Sequence, residues 1–198
     1  MHSASPLPDG LQGWFATRGW SPRRYQLEMR DAYMAGEHAL LVAPTGAGKT
    51  LAGFLASLAD LAEHPREGLH TIYISPLKAL AVDVRRNLLQ PIEDMGLDIR
   101  VETRTGDTPS DRKARQRAKP PHILLTTPES LSLLLSYPES VDMLAGVQRI
   151  VIDEVHAFAT GKRGDLLNLA MARLQALAPQ MRRAALSQPL MRPNWLRT

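Results

Sequence analysis

ALLVAPTGAGKT, residues 39–50, is the stretch of this sequence that decides the fold. It opens with the aliphatic run ALLVA, turns through Gly46 and Gly48, and leads into the amphipathic segment 49–62. An aliphatic run that ends in a glycine-rich turn predicts a buried strand, and the amphipathic spacing that follows predicts a helix. The stretch is therefore interpreted as a strand, a tight turn and a helix, in that order.

The same strand-then-helix order recurs along the chain. Predicted strands lie at 39–43, 71–75, 99–103, 122–127, 149–153 and 182–187, and predicted helices at 49–62, 77–90, 109–118, 128–136 and 163–178. Strands that are buried on both faces and separated by helices indicate βαβ units. The predicted fold class is α/β, with a mostly parallel sheet and helices on both faces. In such a sheet we expect the chemistry in the loops at the carboxyl ends of the strands.

The composition is that of an ordinary globular domain. The chain has 198 residues, of which 44% are hydrophobic and 22% charged, enough for one core. No apolar run reaches the ~18 residues that a membrane span needs, and the start MHSASPLPDG lacks the features of a secretory signal. Zero cysteines exclude disulfides, which fits the cytoplasmic location that we expect, and the lack of a long apolar run leads us to expect no membrane contact. The net charge of +4 permits a polyanionic partner without requiring one.

The glycine turn has the spacing of a phosphate-binding loop. Backbone N–H groups in such a loop surround phosphate oxygens at the start of a helix. Lys49 is predicted to reach the β- and γ-phosphates, and Thr50 to hold Mg²⁺ through its hydroxyl. The predicted loop residues are Thr45, Gly46, Ala47, Gly48, Lys49 and Thr50. The alternative is an incidental glycine-rich turn, which the strand before and the helix after make the weaker interpretation.

The run VQRIVIDEVH, residues 147–156, ends a predicted strand with two carboxylates. Charges at the end of an apolar strand are costly unless they are paired or near a cation. Asp153 is predicted to orient Mg²⁺, Glu154 to accept a proton from the water that attacks the γ-phosphate, and His156 to couple nucleotide state to neighbouring groups. For an acidic pair after a strand the alternative is a helix N-cap. The phosphate loop upstream favours the catalytic interpretation.

The phosphate loop and the pattern D-E-x-H together resemble a superfamily 2 DEXH helicase. Further runs are similar to the Lhr (large helicase-related) family, and the opening is most similar to its bacterial ligase-associated branch. These runs are WFATRGWSPRRYQ, SPLKAL, TRTGDT, PPHILLTTPESLSLLLS, DEVHAF and KRGDLLNLAMARLQALAP. The resemblance covers residues 11–187 and implies a RecA-like P-loop NTPase domain with ATP and Mg²⁺ as cofactors. It implies a 3′-to-5′ translocase on single-stranded DNA, with RNA as an alternative, in DNA repair, and an associated nuclease and ATP-dependent DNA ligase as candidate partners.

The resemblance also assigns residues to binding roles. Gln26 would recognise adenine, because an amide donates and accepts at once. Hydroxyls and N–H groups of three motifs would grip the nucleic-acid backbone without reading sequence. The residues of these motifs are Ser75, Pro76, Lys78, Thr105, Gly106, Thr126, Thr127, Pro128, Glu129 and Ser130. The basic run at 111–119 could extend this track, but we favour a solvated helix face. Trp14, Phe15 and Trp20 could stack on a base, but we favour packing of an N-terminal helix.

Near its end the chain departs from the family pattern. Strand 182–187 should lead into Ser-Ala-Thr, which links hydrolysis to movement, but Gln188 and Pro189 follow Ser187. We expect an N-terminal segment at 1–24, RecA-like domain 1 at 25–187, an aberrant tail at 188–198 and no second RecA-like domain. One hypothesis is a frameshift, since loss of one base from codons for Ser-Ala-Thr-Val can give Ser-Gln-Pro. The expected result is a truncated chain that binds nucleotide weakly and does not unwind alone.

Three other functions stay open. The chain could be a non-catalytic fragment that binds nucleotide or nucleic acid, or a pseudogene product that never accumulates. A small-molecule P-loop kinase is the weakest alternative, because it leaves TRTGDT, TTPESL and DEVH unexplained.

Overall fold

The apolar runs of the sequence form the strands of one sheet. The computed structural model describes residues 6–44, 46–76 and 88–189. Within these residues the strands are β1 (Ala39–Val42), β2 (Thr71–Ile74), β3 (Val101–Arg104), β4 (Ile123–Thr126), β5 (Arg149–Ile152) and β6 (Arg182–Ser187). Five predicted strands agree with these bounds to within one residue. The exception is β3, which begins two residues later than predicted because residues 97–99 form a turn, in which the Ile99 N–H donates to the Leu97 oxygen (2.9 Å).

Helices connect the strands. They are α1 (Asp9–Thr17), α2 (Arg24–Met34), α3 (Lys49–Glu63), α4 (Ser110–Ala118), α5 (Pro128–Leu135), α6 (Val141–Ala145) and α7 (Lys162–Leu177), with a further helical segment at 88–94 and short 3-10 helices at Pro138–Ser140 and Val155–Phe158. The predicted helix at 77–90 lies largely outside the described residues. No helix in the described ranges is long and apolar enough to cross a membrane.

The strands are hydrogen-bonded in the order β1-β6-β5-β2-β4-β3. Every neighbouring pair is parallel. β6 lies between β1 and β5, with Ser187 beside Val42 and Ala185 beside Ile152, as predicted for the strand between the phosphate loop and the acidic pair. Because the strands are parallel, their carboxyl ends meet along one side of the sheet, which we call the carboxyl edge.

Alternate side chains of the sheet enter two separate cores. On β2, Tyr73 lies in the core shared with α1, α2 and α3, whereas Ile72 and Ile74 lie in the core shared with α5, α6 and α7. Helices therefore cover both faces, which confirms the predicted α/β architecture. Trp14 and Phe15 are buried in the first core, as the favoured interpretation predicts, while Trp20 is 54% exposed and packs edge-on against Trp14.

Candidate functional site

The chain passes from β1 to α3 through a loop that only glycine can form at two positions. Gly46 and Gly48 have φ of +78° and +80°, in the left-handed region that favours glycine. Gly48 is the N-cap of α3 and has no side chain to cap the helix, so the N–H groups of the first turn are presented at the carboxyl edge. Thr45 lies outside the described residues. This geometry is that of a cradle for an anion.

Lys49 points back into this loop. Its side chain is buried, and Nζ donates to the backbone oxygens of Ala43 (2.8 Å) and Pro44 (3.1 Å). An ammonium has three donors, so these two bonds orient the group and leave one donor for a phosphate oxygen. The loop therefore carries a positive charge at the place where the sequence predicts one.

Tyr73 joins the phosphate loop to the acidic pair. Its hydroxyl donates to Oδ2 of Asp153, and the Thr50 side chain lies near the same phenol. Burial, followed by the charge of Asp153, raises the pKa of Tyr73, so the phenol stays a donor. The ring stacks on Phe54, with centroids 4.8 Å apart. Thr50 and Asp153, the two predicted metal ligands, thus both lie next to the Tyr73 phenol.

The acidic pair follows β5 directly. Asp153 is buried, and its Oδ1 accepts a hydrogen bond from the backbone N–H of Glu154 (2.8 Å). Glu154 has φ +47° and ψ +44°, and among the described residues it is the only non-glycine residue with positive φ. It occupies the N-cap position of the helix Val155–Phe158 without a side-chain cap hydrogen bond. Capping therefore does not explain this carboxylate, and strained backbone is typical of functional sites.

His156 connects Glu154 to the end of β6. Its Nε2 lies 3.2 Å from Oε2 of Glu154, and its Nδ1 lies 3.1 Å from Oγ of Ser187. The Ser187 hydroxyl also donates to the Gln188 oxygen (3.0 Å). The Gln188 amide nitrogen lies 3.2 Å from Nε2. The two residues predicted to couple, His156 and Ser187, are in direct contact.

Gln26 fastens α2 to the phosphate loop. Its side chain is buried, Oε1 accepts from the Arg23 N–H (2.9 Å), and Nε2 donates to the Gly48 oxygen (3.3 Å). Tyr25 and Arg23 both donate to the Ala47 oxygen. One N–H and one lone pair of the amide remain beyond these two bonds. Recognition of adenine by Gln26 stays a prediction.

The comparison with known families agrees with this geometry. A profile of the DEAD/DEAH box helicases matches residues 23–188. The chain belongs to the DEAD/DEAH box helicases. Lhr helicases are among the proteins to which it is similar, which confirms the resemblance to the Lhr family.

Two relatives and one solved structure illustrate this similarity. The ATP-dependent helicase Lhr-Core protein 2 of Thermococcus barophilus is 42% identical over 93% of this chain and 23% of the relative. The Lhr helicase/uracil glycosylase of Escherichia coli is 40% identical over 88% of this chain and 13% of its own length. The structure of Mycobacterium smegmatis helicase Lhr bound to ssDNA and AMP-PNP matches with a TM-score of 0.86 and 38% identity, over 95% of this chain and 25% of that one. The chain spans a quarter or less of the length of these proteins.

In this helicase domain the residues predicted to contact nucleic acid follow β2, β3 and β4, but they are unequally accessible. Gly106 is exposed, whereas Thr105 is buried and its N–H donates to the Thr108 hydroxyl (2.9 Å). Thr126 is fully buried and donates to the Arg104 oxygen (2.7 Å), so its hydroxyl holds β4 to β3 and does not reach the surface. Ser75 is also fully buried, Pro76 is half-buried, and Lys78 lies outside the described residues.

The start of α5 supplies the other predicted contacts of the helicase domain. Thr127 is the N-cap, and its hydroxyl accepts from the Ser130 N–H (3.4 Å). Pro128 is buried in the first turn, and Glu129 is exposed there. Partial burial alone would raise the pKa of Glu129, but the hydrogen bond from Arg163 brings it below the usual range. An ionised carboxylate therefore stands among the predicted phosphate contacts, with Arg163 beside it.

Proposed function

We propose that this chain is the N-terminal, RecA-like ATP-binding domain of an Lhr-type helicase, and that it binds ATP with Mg²⁺ at the carboxyl edge. The observation that carries this proposal is that Thr50 and Asp153 both lie next to the Tyr73 phenol, while the same phosphate loop holds the buried ammonium of Lys49. Three segments of the sequence, the loop after β1, strand β2 and the end of β5, thereby bring a cation, two hydroxyls and a carboxylate to the carboxyl edge.

The donor set fits a metal-bound triphosphate. Mg²⁺ prefers one or two protein oxygens and takes its other ligands from phosphates and water. Thr50 and Asp153 would hold the metal, which would neutralise charge on the phosphates. Lys49 and the uncapped N–H groups of α3 would bind the phosphate oxygens, and Glu154 would take the proton of the attacking water. Gln26 would contact the adenine.

We further propose single-stranded nucleic acid as the second ligand. Support comes from the exposed Gly106 and the N-terminus of α5 on the same edge as the phosphate loop, and from the similar Lhr structure with bound ssDNA. DNA is proposed before RNA for that reason. A role in DNA repair, a cytoplasmic location, the ligase-associated branch and partnership with a nuclease and a ligase are proposed from the family resemblance alone.

For this stretch by itself we propose nucleotide binding with slow hydrolysis and no unwinding. In related NTPases an arginine finger from outside the nucleotide-binding loop contributes on the order of 10³–10⁵ in rate. In helicases of this class the second RecA-like domain supplies it, and the described residues form one such sheet.

A single substitution tests the nucleotide site. Lys49→Ala removes the buried ammonium, so we expect the affinity for AMP-PNP with Mg²⁺, measured by calorimetry, to fall by at least about tenfold. Lys113→Ala is the matched control, because Lys113 donates to the Gly106 oxygen and lies outside the phosphate loop. Equal affinity of the wild type and Lys49→Ala would contradict the assigned site.

The alternative function, binding without catalysis, is distinguished by turnover. Phosphate release that single strands stimulate and Glu154→Gln abolishes supports the enzyme. Binding of nucleotide with no release above the Glu154→Gln background supports a binding module.

A further inference from the structure

Arg163 joins the first turn of α7 to the first turn of α5. Its Nε donates to Oε1 of Glu129 at 2.6 Å, and its Nη2 approaches Oε2 at 3.4 Å. Glu129 stands between Thr127 and Ser130, and an unpaired carboxylate there would repel a phosphate. Arg163 therefore sets both the position and the effective charge of a side chain on the proposed nucleic-acid surface.

The same guanidinium also contacts the segment that carries the catalytic carboxylate. It covers the ring of Phe158, with Cζ 5.7 Å from the ring centroid. Phe158 is buried and ends the short helix that begins immediately after Glu154. Arg163 thus touches α5 on one side and the 154–158 segment on the other.

The turn that holds Arg163 is fixed against Phe158 by glycines. Gly161 has φ +88°, and its oxygen accepts from the Gly164 N–H (2.9 Å). A Cβ at Gly164 would lie 2.2 Å from the Phe158 oxygen. Since no side chain fits between the turn and Phe158, a displacement of Phe158 displaces Arg163 as well.

We propose that Arg163 is a positioning residue that couples nucleotide binding at the acidic pair to nucleic-acid binding at the start of α5. This inference rests on the proposed function. When bound nucleotide repositions the 154–158 segment, Arg163 moves Glu129 relative to Thr127 and Ser130. Affinity for a single strand then depends on the nucleotide, and affinity for nucleotide depends on the strand by the same factor.

An ordinary surface ion pair is the competing explanation. The side chains of Arg163 and Glu129 are 45% and 50% exposed, and such pairs add little to stability. Removal of Arg163 should therefore leave the unfolding midpoint nearly unchanged. The effect that separates the two explanations is the change in linkage between the two ligands.

The experiment measures that linkage in the full chain. Binding of a fluorescein-labelled oligothymidylate is followed by anisotropy at low salt, with and without AMP-PNP and Mg²⁺, in the wild type, Arg163→Ala and Arg163→Lys. The control is Arg173→Ala, because Arg173 also joins α7 to α5, through the Leu135 oxygen (3.0 Å), but at the other end of the helix pair.

We expect AMP-PNP with Mg²⁺ to change the affinity for the oligothymidylate by about fivefold or more in the wild type and in Arg173→Ala. In Arg163→Ala we expect the same addition to change it by less than about twofold. Arg163→Lys should restore part of the linkage, because lysine keeps the positive charge but lacks the two parallel N–H donors of the guanidinium. If the ratio of oligothymidylate affinities with and without nucleotide in Arg163→Ala equals that of the wild type, the inference is overturned. The inference is also overturned if Arg163→Ala lowers the oligothymidylate affinity by the same factor with and without nucleotide, because Arg163 would then be a phosphate contact only. A wild type that binds both ligands without linkage overturns this inference alone, and one that binds neither overturns the proposed function too.

Discussion

Glu154 adopts a left-handed backbone conformation that residues other than glycine rarely adopt, and nothing in the pattern DEVH predicts this conformation. What the sequence does predict is that Lys49 and Asp153 share an edge, because both follow parallel strands. Tyr73 could not be predicted as their link. In the run TIYI it has the signature of a core residue, and its hydroxyl reaches Asp153 after β5, with Thr50 of α3 nearby, only in the folded chain.

The strain at Glu154 predicts opposite effects on stability and catalysis. Glu154→Gly should raise the free energy of unfolding by about 0.5–1 kcal/mol, because glycine tolerates φ +47°, while hydrolysis is lost. Urea unfolding at pH 7 measures the first effect and phosphate release the second. Glu28→Gly in the middle of α2 is the control and should lower stability by about 1 kcal/mol. A loss in Glu154→Gly as large as in Glu28→Gly would argue that the backbone is unstrained.

At the scale of elements, the bounds of a strand can be predicted where an aliphatic run has a proline or a glycine-rich turn on each side. β6 has the predicted bounds, 182–187, because proline precedes it and follows it in the sequence. α6 is five residues long, too short for a helical period to be detected. The sequence also does not predict that position 164 requires glycine, because the requirement comes from contact with Phe158 in the preceding turn.

Two glycines inside helices should respond to alanine in opposite directions. Gly164→Ala places Cβ against the Phe158 oxygen and should lower the free energy of unfolding by about 1–3 kcal/mol. Gly13→Ala in α1 meets no atom within 4 Å and should raise it by about 0.5–1 kcal/mol through helix propensity. Urea unfolding compares the two variants under one condition. Equal effects would show that the turn at 161–164 rearranges freely.

Across the whole molecule, the candidate site and a hydrogen-bond network around Asp60 lie at opposite edges of the sheet. The candidate site occupies the carboxyl edge. At the amino edge Asp60 of α3 accepts hydrogen bonds from the fully buried His70 before β2 (2.8 Å), from Tyr33 of α2 (3.1 Å) and from His64 (3.1 Å). These partners come from separate segments, so periodicity along the chain does not reveal them. The network connects two helices to the sheet and includes no residue of the candidate site.

Asp60 therefore predicts a pH dependence of stability without a change in binding. The hydrogen bond from His70 lowers its pKa to about 2, against the opposing effect of burial. A lowered folded-state pKa stabilises the fold above the ordinary pKa of an aspartate, and the contribution is lost as pH falls toward 2. Asp60→Asn should lower the free energy of unfolding by about 2 kcal/mol at pH 7, the scale of hydrogen bonds to a charged group.

The difference between the wild type and Asp60→Asn should narrow steadily in urea titrations between about pH 5 and pH 2, since the wild-type carboxylate becomes protonated there. AMP-PNP affinity at pH 7 should be the same in both, because Asp60 lies at the far edge. Glu67→Gln is the control. The Glu67 carboxylate pairs with Arg100 but its side chain is 81% exposed, so this substitution should lower the free energy of unfolding less than Asp60→Asn does. A gap that stays constant with pH would mean that His70 and Tyr33 hold Asp60 by packing and not by its charge.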